Sequence, residues 1–556
     1  MAVGDEQMNK ARLPMRRRPL SASLAAGFAA LAFLAVLAGV ALIGLAWQAA
    51  GQGSGLVAAF DPYLWRVARF TLVEAGLSTL LSVVPAIAVA VALNALPRFR
   101  GRGLVLRLFA LPLALPALVA VFGVTGVYGQ HGWLAEIASV LGSPSPPDIY
   151  GLTGIIIAHV FFNLPLASRL FLTGLASVPA EYWRISSQLG MGPLARFRLI
   201  EWPAMRRAAG GVAALVFMLC ATSFTVVLTL GGGPKATTLE VAIYQALHFD
   251  FDAGRAVALT AVQLFLTGIT IALIGLAGRP SEEGFSIEVR SVREDRPPPV
   301  ERTAASVLIA ATTLFVLLPL ASVLISGFSA DLGKLLRQPA VWRAVTTSIV
   351  IGIIAGALSV ALSLALVAAR QAQARGNAGR RGRHGLEWLF ASGAGLILVI
   401  PPIVIGAGWF VLAIRFADPY TLAPFMVVTV NAAMAMPFAV RVLRPAFDTA
   451  AARHDRLCAA LGISGLSRLR LIDLPALGGP LAAAFAFSMA LSLGDLGTIA
   501  LFGSDRLVTL PFLLLQRMSS YRTSDAAGLA LILAILSLAL IAAADAAANG
   551  VRKMQA

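Results

Sequence analysis

Runs of apolar residues recur along almost the whole chain, each long enough to cross the roughly 30 Å hydrocarbon core of a bilayer as a helix of about 20 residues. The first series lies near Ser21–Trp47, Phe70–Asn94, Leu104–Tyr128, Gly151–Ala176, Ala208–Leu230 and Arg255–Ala277. A charged, proline-bearing segment from Arg279 to Arg302 then interrupts the pattern. The second series lies near Ala304–Gly327, Ala344–Ala369, Leu386–Ile414, Tyr420–Leu443, Gly478–Phe502 and Ala526–Ala548. This pattern predicts an all-α, polytopic membrane protein with about twelve transmembrane helices in two six-helix halves. Pro165 and Pro437 fall inside the fourth run of each half, where loss of an i to i−4 hydrogen bond predicts a kinked helix.

Composition agrees with the pattern. At 58% hydrophobic and 13% charged residues, with a mean hydropathy of +0.83, the chain has a bilayer as its solvent. A net charge of +17 would suggest nucleic acid in a soluble protein, but here the basic residues are concentrated in alternate loops. Lys10, Arg12, Arg16, Arg17 and Arg18 precede the first run, Arg98, Arg100 and Arg102 follow the second, and Arg375, Arg380, Arg381 and Arg383 follow the eighth. The segment from Gly129 to Tyr150 has neither Lys nor Arg. By the positive-inside rule both termini are cytoplasmic, and the chain reads as a multi-pass membrane protein with no nucleic-acid partner. The first run is too long for a signal-peptide core of ~7–15 residues and reads as a retained span.

Little in the chain suggests catalysis. Cys220 lies in an apolar run and Cys458 in a basic loop, so no disulfide, redox or metal role is expected of them. His159 and Tyr244 read as packing or pathway-lining residues, and no nucleophile, base or clustered metal ligands fall at usable spacings. No enzyme activity, catalytic residue, metal or cofactor is expected. A phosphate-binding G-x-x-x-x-G-K-[ST] run is absent, and Gly231-Gly232-Gly233-Pro234-Lys235 lacks its spacing.

The chain repeats itself. Gly190 is followed after nine residues by Ile200-Glu201-Trp202-Pro203, and Gly462 after nine by Ile472-Asp473-Leu474-Pro475, an offset of 272 residues. At the same offset Pro165 meets Pro437, Arg169 meets Arg441 and Leu189 meets Leu461. Two copies in one orientation imply a pseudo-two-fold axis along the membrane normal with a pathway between them, the plan of a transporter.

The repeated loop resembles the EAA loop of the permeases of ATP-binding-cassette importers. The resemblance implies a short cytoplasmic helix that docks on a separate ATP-binding subunit, a homodimer with one copy under each loop. The name-giving triplet departs, since Arg184-Ile185-Ser186 and Arg456-Leu457-Cys458 hold those positions. The runs LGGGPKATTLEVAIYQALHFDFD from Leu230 and LGDLGTIALFG from Leu493, with TLPFLLLQ and SSYRTSDAAGLALIL after them, resemble the thiamine and thiamine pyrophosphate permease family. That family implies transfer of thiamine and its phosphates from a periplasmic thiamine-binding protein by alternating access. It also implies two type-1 permease cores, about 70–277 within a first half 21–278 and about 342–545 within a second half 304–549. A tail 1–20, a cytoplasmic linker 279–303 and a tail 550–556 complete the plan. Iron(III) permeases share the fused arrangement, and an ion-coupled carrier of two six-helix halves is the alternative of another class.

Three sets of residues follow. Arg184, Gly190, Ile200 and Pro203, with Arg456, Gly462, Ile472 and Pro475, mark the two ATPase-coupling loops. Asn163, Ser223, Phe224 and Asp495 are pathway candidates, because an ionisable side chain such as Asp495 is costly within a span. Glu240, Asp250, Asp252, Asp505 and Arg522 lie in outward loops facing the donor protein.

Overall fold

In hydrocarbon each backbone N–H and C=O needs a partner within the chain, so the apolar runs close their hydrogen bonds as helices. The computed structural model describes residues 22–52, 61–142, 149–233, 235–277, 298–377, 385–397, 400–416, 418–463, 465–504 and 507–555. The first part of the chain forms α1 (Ala22–Gln52), α2 (Pro62–Ala95), α3 (Arg102–Leu108), α4 (Leu111–Ala114), α5 (Ala117–Tyr128), α6 (Trp133–Val140) and α7 (Leu152–Ala176). It continues with α8 (Ala180–Gln188), α9 (Pro193–Arg196), a π-helical turn π1 (Phe197–Glu201), α10 (Trp202–Ala221), α11 (Phe224–Leu230), α12 (Leu239–His248) and α13 (Ala253–Ala277). The second part forms α14 (Pro299–Ser329), α15 (Leu332–Leu336), α16 (Pro339–Asn377), α17 (Gly385–Leu396), α18 (Pro402–Phe416) and α19 (Pro419–Ala460). It ends with α20 (Gly465–Arg468), π2 (Leu469–Asp473), α21 (Leu474–Gly494), α22 (Gly497–Phe502), α23 (Leu510–Ser519) and α24 (Thr523–Gln555).

Among the described residues ten helices are long and apolar enough to cross a membrane, or eleven if the bent pair around Pro116 is one span. The hydropathy pattern predicts about twelve, and the difference has a local cause. In the third run Leu115 is extended (φ −90°, ψ 143°) before Pro116, and the run bends there by 113°. The ninth run divides into α17 and α18 around Pro401-Pro402. A proline drives the residue before it out of the helical region, so an apolar run continues while its helix does not. The expected tail from 550 is helical as far as Gln555, as the end of α24. The expected tail 1–20 and the linker residues 279–297 lie outside the described residues.

Four long helices recur in each half with matching neighbours. In the first, α2 packs on α7 and α10, and α10 on α13; in the second, α16 packs on α19 and α21, and α21 on α24. Short helices close the bundles at one end in the same way. The N–H of Leu239, first in α12, donates to Thr71 Oγ1 of α2 at 3.0 Å, and that of Leu510, first in α23, to Ser348 Oγ of α16 at 2.8 Å. The leading helix of each half is exchanged. α1 packs on α16 and α18 of the second half, while α14 packs on α2 and α5 of the first.

Lipid tails are as apolar as leucine, so close van der Waals contact rather than water exclusion holds such helices together. The exchanged helices meet their hosts through glycine. A Cβ built on Gly408 of α18 would stand 2.2 Å from the Ala41 carbonyl oxygen of α1, and one on Gly123 of α5 would stand 2.4 Å from that of Pro319 in α14. One apolar cluster fills each half, and a third, including Phe224 and Leu239 with Phe410 and Phe502, joins both at the end capped by α12 and α23.

Candidate functional site: paired loops and a cavity between the halves

The two repeated loops fold alike. Gly190 has φ +61° and Gly462 φ +65°, the left-handed region that glycine enters without strain. Each ends a helix in a Schellman turn, with Met191 N–H donating to the Ser186 carbonyl at 3.0 Å and Ile463 N–H to that of Cys458 at 2.9 Å. A short helix follows, then a π-turn, at 197–201 and again 272 residues later at 469–473. The cause is Pro203 and Pro475: each lacks an N–H for the carbonyl four residues back and its ring crowds that carbonyl, so the turn widens.

Each loop is also clamped by an arginine. Arg196, buried, lies 3.9 Å from Glu201 and pairs with Glu301 at the start of α14. Arg468, its counterpart, lies 3.4 Å from Asp473 and pairs with Asp455 of α19. Burial alone would pull the Arg468 guanidinium down, but the hydrogen bond to Asp455 and the charge of Asp473 outweigh it and push it up. Trp183, fully buried, anchors α8 from beneath. The outer face of both loops carries exposed apolar side chains in register: Leu189 (72% exposed) with Leu461 (63%), and Leu199 (65%) with Leu471 (66%). Paired apolar rows of this kind mark a surface for another macromolecule.

Of the loop residues read from the sequence, Arg184 is exposed on α8, Ile200 and Ile472 lie within the π-turns, and Pro203 and Pro475 open the following helices. Arg456 is in α19, its side chain outside the described residues. Arg196, Arg468 and Glu301 escaped sequence reading. The acid five residues after each arginine was a usable signal, but Glu301 comes from 105 residues away.

A cavity of about 370 Å³ lies between the halves. Pro116 and Thr222 line it from the first half, and Asn431, Ser492, Asp495, Phe438 and Phe487 are among those lining it from the second. Its wall is mostly apolar, with Phe438 and Phe487 in ring contact at 5.7 Å. The polar part is concentrated: Asn431 Nδ2 donates to Ser492 Oγ at 2.9 Å, and the Asp495 carboxylate stands nearby. Asp495 is not inside a helix. The eleventh predicted run breaks there, with Asp495 extended (φ −71°, ψ 127°) between α21 and α22, as the fifth breaks at Ser223 between α10 and α11. Its Oδ1 accepts from Gly497 N–H at 3.2 Å, while Oδ2 is without a hydrogen-bond partner among the described residues.

The other pathway candidates are not among the residues lining this cavity, although Ser223 directly follows Thr222, which does line it. Asn163 is buried in α7 and donates to Cys220 Sγ at 3.4 Å, Ser223 precedes α11, and Phe224 is buried edge-on against Tyr244, ring centroids 5.5 Å apart. Sequence reading also passed over Glu74, whose Oε1 lies 2.5 Å from His159 Nδ1 and accepts from Ser78 Oγ at 2.8 Å. This buried trio ties α2 to α7.

At the end opposite the loops, Arg255 stands among Asp61 (3.8 Å), Asp250 (3.9 Å) and Asp252 (3.9 Å). The second half carries Arg522 and Arg517 about Asp525, at 2.8 and 3.8 Å. Glu240, expected in an outward loop, is instead 1% exposed at the start of α12, and burial pushes its carboxyl well above the usual range. Asp505 lies outside the described residues.

Pseudo-symmetric helical halves around a shared cavity, with matched loops at one end, define the chain as a membrane transport protein. A family model described as "Binding-protein-dependent transport system inner membrane component" matches residues 378–553. The "Thiamine transport system permease protein ThiP" of Brucella abortus (strain 2308) is 60% identical over 538 residues, covering 96% of this chain and 98% of that protein. The protein of the same name from Escherichia coli (strain K12) is 42% identical, covering 94% and 97%. The "Molybdenum transport system permease protein ModB" of Azotobacter vinelandii is 30% identical over 182 residues, 33% of this chain and 79% of its own length. The chain belongs to the family of thiamine transport system permease proteins.

Proposed function

We propose that this chain is the permease of a thiamine importer in the cell inner membrane, passing thiamine and its phosphates from a periplasmic binding protein to the cytoplasm. The two halves act as paired permease domains, 21–278 and 304–549, with both termini and the paired loops in the cytoplasm. The observation that carries this reading is the pair of arginine-clamped loops with apolar rows in register, offset by 272 residues. Such a rigid pair suits one ATP-binding homodimer that closes beneath both loops at once. Closure moves the loops together, and the exchanged helices α1 and α14 pass that movement across the interface between the halves.

The cavity suits the cargo's chemistry. A mostly apolar wall with phenylalanines accepts a flat aromatic ring, and the single carboxylate of Asp495, part of whose hydrogen-bonding capacity is unused, offsets a positive thiazolium in transit. Glu240 is withdrawn from the surface, which leaves Asp250, Asp252, Asp505 and Arg522 as the residues meeting the donor. The test is uptake of labelled thiamine by proteoliposomes containing this chain, its ATP-binding subunit and a thiamine-binding protein, with and without internal ATP. Uptake that needs both ATP and donor is expected. Uptake driven by an ion gradient alone would overturn the importer reading, and ATPase stimulation without thiamine transport would overturn the cargo.

A further inference from the structure

We propose that the groove between α14 and the loop end of α2 is a binding site for an anionic phospholipid. The groove has a volume of about 420 Å³ and is lined by Leu96, Phe99 and Val105 on one side and by Ile309, Leu314 and Leu317, among others, on α14. Its wall is apolar in effect, because the Thr313 hydroxyl is already spent on the Ile309 carbonyl at 2.6 Å. Ala310 lines the groove and is exposed, so the groove opens to the side of the protein where hydrocarbon would lie. Lining residues run along α14 from Ser306 to Leu317, about 16 Å at 1.5 Å per residue, close to the ~15 Å of one leaflet. The groove therefore has the length and chemistry of one acyl chain.

Its mouth has the chemistry of the headgroup. Arg98 and Arg100, both exposed, flank Phe99. Arg302, also exposed, lies one helical turn before Ser306 on the same face of α14. The nearest carboxylate in sequence, Glu301, is engaged by Arg196. Several guanidinium groups at the end of a leaflet-length apolar groove match a phosphodiester carrying net negative charge. A zwitterionic headgroup would bring its own cation against them. One wall belongs to the first half and the other to the exchanged helix of the second, so the lipid seals a joint between the halves.

The test uses the full chain in detergent with equal amounts of phosphatidylglycerol and phosphatidylcholine of matched acyl chains, followed by native mass spectrometry of the retained lipid. Phosphatidylglycerol is expected to be retained in excess. The Arg98→Gln/Arg100→Gln/Arg302→Gln variant, altered only at exposed positions, should lower that excess roughly tenfold or more. Ala310→Trp, which fills the groove and leaves every arginine in place, should lose the retained lipid, and Ala310→Leu should lose part of it. Equal retention of the two lipids by the unaltered chain, or retention of phosphatidylglycerol by Ala310→Trp at the unaltered level, would overturn the proposal. The readout is lipid occupancy alone, so it stands or falls independently of the cargo and the motor.

Discussion

Replacing Arg468 by methionine removes the guanidinium that holds the second loop and keeps most of the side chain's apolar bulk. Asp473, only 8% exposed at its side chain, is then left in the interior without its cation, whereas Asp455, at 32%, can regain water. Breaking a buried ion pair from one side costs about 3–5 kcal/mol, and the partial exposure of Asp455 puts this case near the lower figure. A local cost of about 3 kcal/mol raises the opening equilibrium of the loop by roughly a hundredfold or more, at 1.36 kcal/mol per tenfold. The assay is amide hydrogen exchange on the intact protein. Residues 465–475 should exchange about a hundredfold faster while α2 and α7 are unaffected. Converting both partners, Arg468→Met with Asp473→Leu, should restore most of the protection, because an apolar pair of similar volume is tolerated where a stranded charge is not. Unchanged exchange in the single variant, or a double variant as labile as the single, would refute the assignment of Arg468 as the clamp.

Four further outcomes are expected. Asp495→Asn should slow thiamine uptake several-fold without loss of assembled protein; uptake at the unaltered rate would remove Asp495 from the pathway. Leu199→Asp with Leu471→Asp should abolish stimulation of the ATP-binding subunit while helical content by circular dichroism stays the same, since two charges would be placed in the apolar rows. Gly408→Val should lower the melting temperature markedly, because its Cβ would fall 2.2 Å from the Ala41 carbonyl oxygen and push α1 off α18; an unchanged melting curve would contradict that contact. Glu240→Gln concerns a carboxyl whose folded value is raised, so the folded state binds more protons and stability falls as pH rises above about 4.5 towards that value. The glutamine variant should therefore melt higher than the parent at pH 8, and the gap should narrow as pH approaches 4.5.

Much of the plan can be read from one sequence because bilayer chemistry is unforgiving. The apolar runs, the repeat of Gly190 and Gly462, and the prolines that follow them mark local requirements, and each appears in the structure as a helix, a left-handed turn or a widened turn. Asp495 stood out for the same reason, as a carboxylate in an apolar run. The broken runs at Leu115-Pro116 and Pro401-Pro402 were also written locally, yet hydropathy averages over them, because a window that senses solvent does not sense where backbone hydrogen bonding is interrupted. Glu240 reads as an outward-loop acid because nothing in its neighbours in sequence reports that the start of α12 is packed against other helices.

By itself the sequence determined that this chain lives in a bilayer, that it is helical, that its two halves share one design and that each half presents a glycine-hinged loop. It left open which helices touch. In hydrocarbon one leucine-rich face is as good as another, so contact is decided by where backbones can approach, as at Gly408 with Ala41 and Gly123 with Pro319, and by where buried charges find partners, as Arg196 does with Glu301 and His159 with Glu74. Those choices join residues far apart in the chain, and they exist only once the helices are packed. The exchange of α1 and α14 between the halves and the lining of the cavity were accordingly decided by the tertiary structure alone.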